Sequence, residues 1–218
     1  QANHLRKSNE TLELLGIIGQ DITANLSTEG IIDIVHERVM NLMDASVFAI
    51  GIFNQKNGLL EFPYVKENGK TLEHITFDLE HENSLAEICF KNNREIFIND
   101  FEQEYGQYFD EMPKLPKAGE QHSRSIIYVP MVVKGQTIGL ITVQSFEKKA
   151  YNAAHLNIIR NIANYTKVAI ENARAYQRIR TQSKRLSQAN INIHEQKTII
   201  EKKNGELLEL NDEKNHLI

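Results

Sequence analysis

The segment 100–124 carries the residue types best suited to holding a small molecule. It contains four aromatic side chains, Phe101, Tyr105, Tyr108 and Phe109, which is a higher density than a disordered tract would carry. Connections longer than about 12–15 residues without regular structure are commonly lids or binding loops. The sequence therefore predicts either an irregular lid that closes over a ligand, or a loop whose rings only pin it to the core.

The histidines and the single cysteine lack the spacings that metal sites and thiol catalysis require. The eight histidines are scattered, with no His-x-His, His-x-x-x-His or Cys-x-x-Cys pattern. Cys89 shares a helical spacing with Leu85 and Ile88, where a small buried thiol is ordinary. The sequence also lacks a glycine-rich phosphate loop, a nucleophile elbow and paired catalytic carboxylates. We expect a non-enzymatic chain that needs no metal and no cofactor.

Composition and charge argue against several classes of partner. The 218 residues are 41% hydrophobic, and 25 basic against 29 acidic side chains leave a net charge of −4. This balance predicts no nucleic-acid binding and no strong affinity for an anionic membrane. No apolar run approaches the roughly 20 residues that span a bilayer, and a single cysteine fits a reducing compartment. We expect a cytoplasmic fragment without membrane contact, and the start at Gln1 without methionine indicates a longer parent protein.

Two apolar, β-branched runs on either side of Lys134-Gly135 predict a β-hairpin over 125–145. The glycine tolerates the positive φ that a tight turn needs. Both runs are apolar on both faces, which indicates strands in the middle of a sheet that is covered on two sides. Pro130 interrupts the first run, and because proline cannot donate to a ladder we expect a bulge or an unbonded position there.

The pattern before and after this hairpin predicts helices and further strands. Helices are expected over 10–25, after an N-cap at Ser27 or Thr28, after a cap at Asn83 or Ser84, and after a cap at Asn152. Strands are expected over 46–54, 59–66, 74–79 and 95–99. Because tight turns join most strands, we expect an α+β fold with an antiparallel sheet of five or six strands flanked by helices.

The hairpin also contains a spaced pattern of six residues: Ser125, Val129, Pro130, Gly135, Ile138 and Gly139. This pattern is similar to the signature of GAF domains, the small regulatory modules of signalling proteins. A second match, over 169–174, resembles the last helix of that family. The resemblance covers 11–176, which we assign to the GAF domain, with 1–10 as an incoming linker helix.

The resemblance also implies where a ligand would lie. GAF domains that bind small molecules hold them between the sheet, the short helix and the lid. The positions of this chain that fall there are Asn83, Ser84, Asp100, Tyr105, Tyr108, Ser123 and Ser125. The alternative is that these residues serve only the structure and that no ligand exists.

Three known chemistries of that family lack their residues here. Its sulfoxide-reducing enzyme and its bilin-binding photoreceptors depend on cysteines. Cys89 is isolated, and Phe90 follows it where bilin attachment would have a histidine. Members that bind cyclic nucleotides carry an Asn-Lys…Phe…Asp-Glu constellation, of which this chain matches the aromatic position with Phe146. The resemblance therefore argues against these activities and against cyclic nucleotides as ligands.

Residues 177–218 have a different pattern, typical of a coiled coil. Apolar side chains recur every seven residues, as at position a of a heptad repeat. They are Ile179, Leu186, Ile193, Ile200 and Leu207. Several d positions are polar, and Gly205 costs about 1 kcal/mol relative to alanine, so the predicted coiled coil is weak. We expect a parallel homodimer through this signalling helix, and a single solvated helix is the alternative.

The residues 209–218 indicate a parent protein. They resemble the segment that leads into the phospho-accepting helix of sensor histidine kinases, although the phospho-accepting motif itself is absent. The sequence therefore predicts the GAF sensor or relay domain of a two-component histidine kinase, ahead of an output domain. The alternatives are a regulatory domain of a nucleotide cyclase or of a transcriptional activator, and a ligand-free dimerisation spacer.

Overall fold

The computed structural model describes residues 16–25, 27–79, 84–113 and 122–215. The predicted linker helix over 1–10 and the candidate ligand residue Asn83 lie outside the described residues. The chain forms two compact units, Gln1–Ala173 and Arg174–Ile218. The domain boundary predicted between residues 176 and 177 stays a prediction.

The first unit is built on an antiparallel sheet with six strands in the described residues. The strands are β1 (Val47–Asn54), β2 (Leu59–Glu67), β3 (Lys70–Asp78), β4 (Ile96–Ile98), β5 (Ser125–Val133) and β6 (Gln136–Ser145). Their order across the sheet is β3-β2-β1-β6-β5-β4, with every pairing antiparallel. The predicted α+β fold, with a five- or six-stranded antiparallel sheet, is therefore confirmed.

Helices cover both faces of this sheet. They are α1 (helical over 16–24), α2 (Thr28–Met40), α3 (Leu85–Asn92), α4 (Phe101–Glu104, followed by a 3-10 turn over Tyr105–Gln107) and α5 (Ala153–Asn215). Side chains cap the starts of α2, α3 and α5 as predicted. Ser27 Oγ accepts a hydrogen bond from the Gly30 N–H at 3.1 Å. Asn152 Oδ1 accepts hydrogen bonds from the backbone of Ala154 and His155 at 2.9 and 3.1 Å.

The β5–β6 hairpin lies inside the sheet, as its two-sided apolar pattern predicts. Lys134 and Gly135 form the turn with φ of 50° and 81°, and β6 pairs with β1 on its other side. Its ladder is irregular between Met131 and Val132, directly after Pro130. The expected irregularity is therefore present, one residue beyond the proline.

The two faces of the sheet bury separate apolar clusters. One face packs against α1, α2 and α5, and its cluster includes Ile18, Ile22, Ile31, Val35, Ile50, Ile141, Val143 and Ile159. The other face packs against α3 and α4. We call its cluster the lid-side cluster: Ala49, Leu60, Phe62, Val65, Leu79, Leu85, Ala86, Cys89, Ile96, Ile98, Phe101, Phe109, Ile126 and Leu140. Alternate residues of β6 enter opposite clusters, which explains why both of its faces are apolar.

The structure corrects two expectations about local structure. Strand β3 begins at Lys70 instead of residue 74. Asn68 and Gly69, with φ of 48° and 75°, make a tight turn, and Glu67 pairs with Lys70 directly across it.

The segment 100–124 is not irregular throughout, because it opens with α4. Glu104 Oε1 stabilises the start of α4 by accepting hydrogen bonds from the backbone N–H groups of Asn99 and Asp100, at 3.0 and 2.8 Å.

Candidate functional site

The described side chains of the segment after β4 pack against the lid-side cluster, in the layer where a ligand is predicted. Phe101 and Phe109 are 4% and 6% exposed within the lid-side cluster. The Tyr105 and Tyr108 rings are half-buried and pack against the same cluster. Burial raises the pKa of the Tyr108 hydroxyl above its usual range. All four aromatic side chains of the segment thus pin it to the core.

A polar group within the strands faces this lid-side layer. The Tyr128 hydroxyl accepts a hydrogen bond from Gln144 Nε2 at 3.2 Å, and the same nitrogen donates to Thr142 Oγ1 at 3.0 Å. Burial raises the pKa of Tyr128 to about 12, so its hydroxyl stays protonated at any physiological pH. These side chains supply hydrogen-bonding groups inside an apolar layer, which is the usual composition of a small-molecule site.

This polar group is hard to predict from the sequence, because tyrosine and threonine are ordinary strand residues. The spacing of the polar residues along β6 does contain a signal for it. Thr142 and Gln144 are two residues apart, so they share a face of β6, and Tyr128 is the register partner of Thr142 on β5. Three polar side chains on one face of two central strands are unusual where the neighbouring positions are apolar.

The predicted ligand residues that the structure describes lie in several different parts of the fold. Ser84 caps α3, with its Oγ accepting a hydrogen bond from the Glu87 N–H at 3.2 Å. Ser123 is buried, and Asn83 lies outside the described residues. Tyr105 and Tyr108 lie against the lid-side cluster, whereas Asp100 and Ser125 lie together at one end of the sheet. Their role in ligand binding stays a prediction.

The Asp100 and Ser125 side chains belong to a set of polar contacts that we call the junction: Asn99, Asp100, Ser125, Lys148 and Tyr151. Ser125 Oγ donates a hydrogen bond to the Glu147 carbonyl at 2.8 Å and accepts one from the Ala150 N–H at 3.1 Å. The Tyr151 N–H donates to Asn99 Oδ1 at 3.3 Å. The Lys149 N–H donates to the Asn99 carbonyl at 2.8 Å. The junction thus joins the end of β4 and the start of β5 to the segment before α5.

Lys148 extends the junction to the first turn of α4. Its Nζ lies 3.1 Å from Asp100 Oδ2 and 2.8 Å from Glu102 Oε2. The hydrogen bonds with Glu102 and then Asp100 raise the pKa of Lys148, and the same bond to Lys148 lowers the pKa of Glu102. The other carboxylate oxygen, Asp100 Oδ1, is buried without a hydrogen-bond partner in the described part of the chain.

Asp44, in the turn before β1, also contacts the segment that leads into α5. The Tyr151 hydroxyl donates a hydrogen bond to the Asp44 carbonyl at 2.8 Å, and the Ser145 hydroxyl bonds to the Asp44 carboxylate. Burial, followed by the charge of Asp44, raises the pKa of Tyr151 above its usual range. The start of α5 is therefore bound both to the turn that precedes β1 and to the turn that precedes α4.

Cys89 lies inside the lid-side cluster and is fully buried. Burial, with a smaller contribution from Glu95, raises the pKa of its thiol to about 12. No group of three histidine, cysteine, aspartate or glutamate side chains among the described residues is arranged to hold a metal ion.

We expect native Cys89 to resist alkylation. At about pH 8, near the ordinary pKa of a thiol, iodoacetamide should leave the folded protein unlabelled, because the thiol is both protonated and out of contact with solvent. The same reagent should label the protein fully once guanidinium unfolds it, and mass spectrometry measures both outcomes. Rapid labelling of the folded protein would show an accessible, reactive thiol and would contradict the packing role.

Comparisons with known proteins identify relatives of this chain. The family model "GAF domain" matches residues 25–171. The formate hydrogenlyase transcriptional activator FhlA of Escherichia coli K12 is 24% identical over 135 residues, which is 62% of this chain and 19% of the relative. The formate hydrogenlyase transcriptional activator of Salmonella typhimurium LT2 is 20% identical over 207 residues, which is 94% of this chain and 29% of the relative. The chain thus spans less than a third of these relatives.

Solved structures share the fold. The GAF domain of an Acinetobacter phosphoenolpyruvate-protein phosphotransferase superposes with a TM-score of 0.64 at 20% identity, covering 77% of this chain and 96% of that domain. The free methionine-R-sulfoxide reductase of Neisseria meningitidis superposes with a TM-score of 0.56 at 14% identity, covering 75% and 90%. Identities this low show the fold alone. Because the family model matches most of the sequence, this chain belongs to the GAF domain family.

Proposed function

We propose that this chain is a non-catalytic relay domain of a signalling protein, in which the junction passes a change in the α4 segment to the start of α5. The junction carries the proposal. Lys148 binds carboxylates at the first turn of α4, while the next residues of the chain are hydrogen-bonded to Asn99 and Ser125. A displacement of α4 therefore changes contacts that hold the start of α5. A cytoplasmic location fits the single cysteine.

A small molecule is the signal that best fits this arrangement. Such a ligand would displace aromatic rings of the lid-side layer and meet the hydroxyl and amide groups of Tyr128, Thr142 and Gln144. Moving Tyr105 or Tyr108 would in turn move α4, since Tyr105 directly follows that helix. A coupling free energy of about 1–3 kcal/mol would be enough to bias a two-state output.

Two classes of parent protein remain as proposals, each with its own support. The resemblance of residues 209–218 to the segment before a phospho-accepting helix favours a sensor histidine kinase. The transcriptional activators among the relatives favour an activator. The sequence that follows Ile218 in the parent gene distinguishes them. A phospho-accepting histidine motif supports the kinase, and a glycine-rich nucleotide-binding motif supports the activator.

Replacing Lys148 with methionine tests the relay. The change keeps a long apolar stem but removes the charge that joins Asp100 and Glu102 to the segment before α5. We expect amide hydrogen exchange to rise about two- to fivefold both in α4 and in the first turns of α5. Exchange followed by mass spectrometry on the full chain measures both regions at once.

Lys149→Met is the matched control, because the Lys149 side chain has no ion-pair partner in the described part of the chain. It should leave exchange in α4 and α5 unchanged. If Lys148→Met loosens α4 and leaves the start of α5 as protected as before, the two regions are not coupled through the junction and the relay is wrong.

A further inference from the structure

A cleft of about 780 Å³ opens at the edge of the sheet, outside the lid-side layer. It lies between the residues that follow α3, the outer half of β5 and the side of α5. None of the residues discussed above as ligand or relay positions lines it. All of its lining residues belong to the first compact unit.

The floor of this cleft is an open strand edge. Strand β4 pairs only with Ile126, Ile127 and Tyr128 of β5, whereas β5 continues to Val133. No strand pairs with residues 129–133 on this side of β5 in the described part of the sheet. Such an edge offers backbone N–H and C=O groups to an extended chain.

The walls of the cleft are positively charged. Arg94 on one side and Lys167 on the other have no ion-pair partner in the part of the chain that the structure describes. The acidic side chain in the lining, Glu95, is already bound by Arg160 through contacts of 2.6, 2.8 and 2.9 Å. Among the described residues the cleft therefore carries two cations without a paired carboxylate, in a chain whose net charge is −4, and it favours an acidic occupant.

We propose that this cleft binds an extended, acidic segment of a partner protein, which adds to the sheet as a strand along β5. Strand addition uses the open edge, and carboxylates of the segment would meet Arg94 and Lys167. The asparagine side chains in the lining, Asn92, Asn93 and Asn164, provide further donors and acceptors for its backbone. Because Asn164 and Lys167 lie on α5, the partner would bind directly to the relay helix.

The charges argue against a second copy of this chain as the occupant. Pairing two copies of β5 edge to edge would place Arg94 and Lys167 of one copy against the same cations of the other, which is repulsive. Pro130, half-buried in the cleft, offers no N–H to an added strand of either kind, so the charges decide between the two occupants. An acidic segment gains the ion pairs that a second copy lacks.

The probe is a fluorescein-labelled peptide of seven residues that alternates glutamate with valine. We expect it to bind the full chain, with affinity that falls as salt is added, and to slow amide exchange over 129–133. The double variant Arg94→Gln/Lys167→Gln should weaken binding roughly tenfold, since two partly exposed ion pairs are lost. Lys70→Gln, at the opposite edge of the sheet, is the matched control and should leave the affinity unchanged.

Two further peptides separate the possible explanations. A lysine–valine peptide of the same length should not bind, and N-methylation of alternate amides of the acidic peptide should abolish binding because it removes the ladder donors. Undiminished binding of the N-methylated peptide would show charge attraction without strand addition. No binding of the acidic peptide, unchanged affinity in the double variant, or self-association lost in that variant would each overturn the proposal.

Discussion

Replacing Ile141 with alanine should lower the free energy of unfolding by about 2–5 kcal/mol. Ile141 is fully buried in the middle of β6, where it is the register partner of Ile50 on β1 and of Val129 on β5. The neighbouring strands hold these side chains in place, and helices cover them. The site therefore cannot collapse around the missing atoms, and the substitution leaves a cavity as well as losing buried apolar surface.

Denaturant titration followed by tyrosine fluorescence measures this effect. Six of the seven tyrosines precede residue 174, so the signal reports chiefly on the sheet domain. Ile191→Ala is the matched control, because Ile191 is 50% exposed in α5 and its truncation should shift the midpoint little. If both variants gave the same small shift with an unchanged slope, β6 would not be a central strand.

Local sequence signals were sufficient for the central hairpin and insufficient for the edge strand. Lys134-Gly135 sets the turn, and the two-sided apolar pattern places β5 and β6 inside the sheet. Neither signal depends on the rest of the chain. The start of β3 lacks such a pattern, since Lys70 and Thr71 are exposed at the sheet edge. Only the tight turn at Asn68-Gly69 fixes its register, and that turn does not show how far pairing extends.

The candidate site was harder to predict because its contacts join distant parts of the chain. Ser125 meets Glu147 and Ala150, and Tyr151 meets Asn99 and Asp44. Each partner is more than 20 residues away, so no local spacing relates them. The family resemblance drew attention to Asp100 and Ser125 as ligand residues. It could not show that their polar atoms bind the segment that leads into α5.

The second large effect concerns dimerisation through the apolar side chains predicted at position a of the heptad repeat. In the second compact unit Ile179, Leu186, Ile193, Ile200 and Leu207 are 58–65% exposed. Five large apolar side chains at heptad spacing form a contiguous surface that a single helix leaves in water. Packing two such helices in parallel buries this surface. We therefore propose that the full chain is a homodimer at concentrations of about tens of micromolar.

Leu186→Asp combined with Ile193→Asp should convert this dimer into a folded monomer or a much weaker dimer. Each aspartate would lie at the seam without a partner, and burying an unpaired charge is strongly unfavourable. Both positions lie in the helical second unit, so the sheet domain should keep its fold. Light scattering measures the mass, and circular dichroism shows whether the sheet domain remains folded.

Ile191→Asp is the control, because Ile191 falls at position f of the same heptads and faces away from the predicted seam. It introduces the same charge into the same helix and should leave the mass unchanged. A wild-type monomer at tens of micromolar, or a double variant that remains an unaltered dimer, would show that residues 177–218 do not pair. Loss of the dimer in Ile191→Asp as well would place the seam on another face of α5 and would refute the heptad assignment.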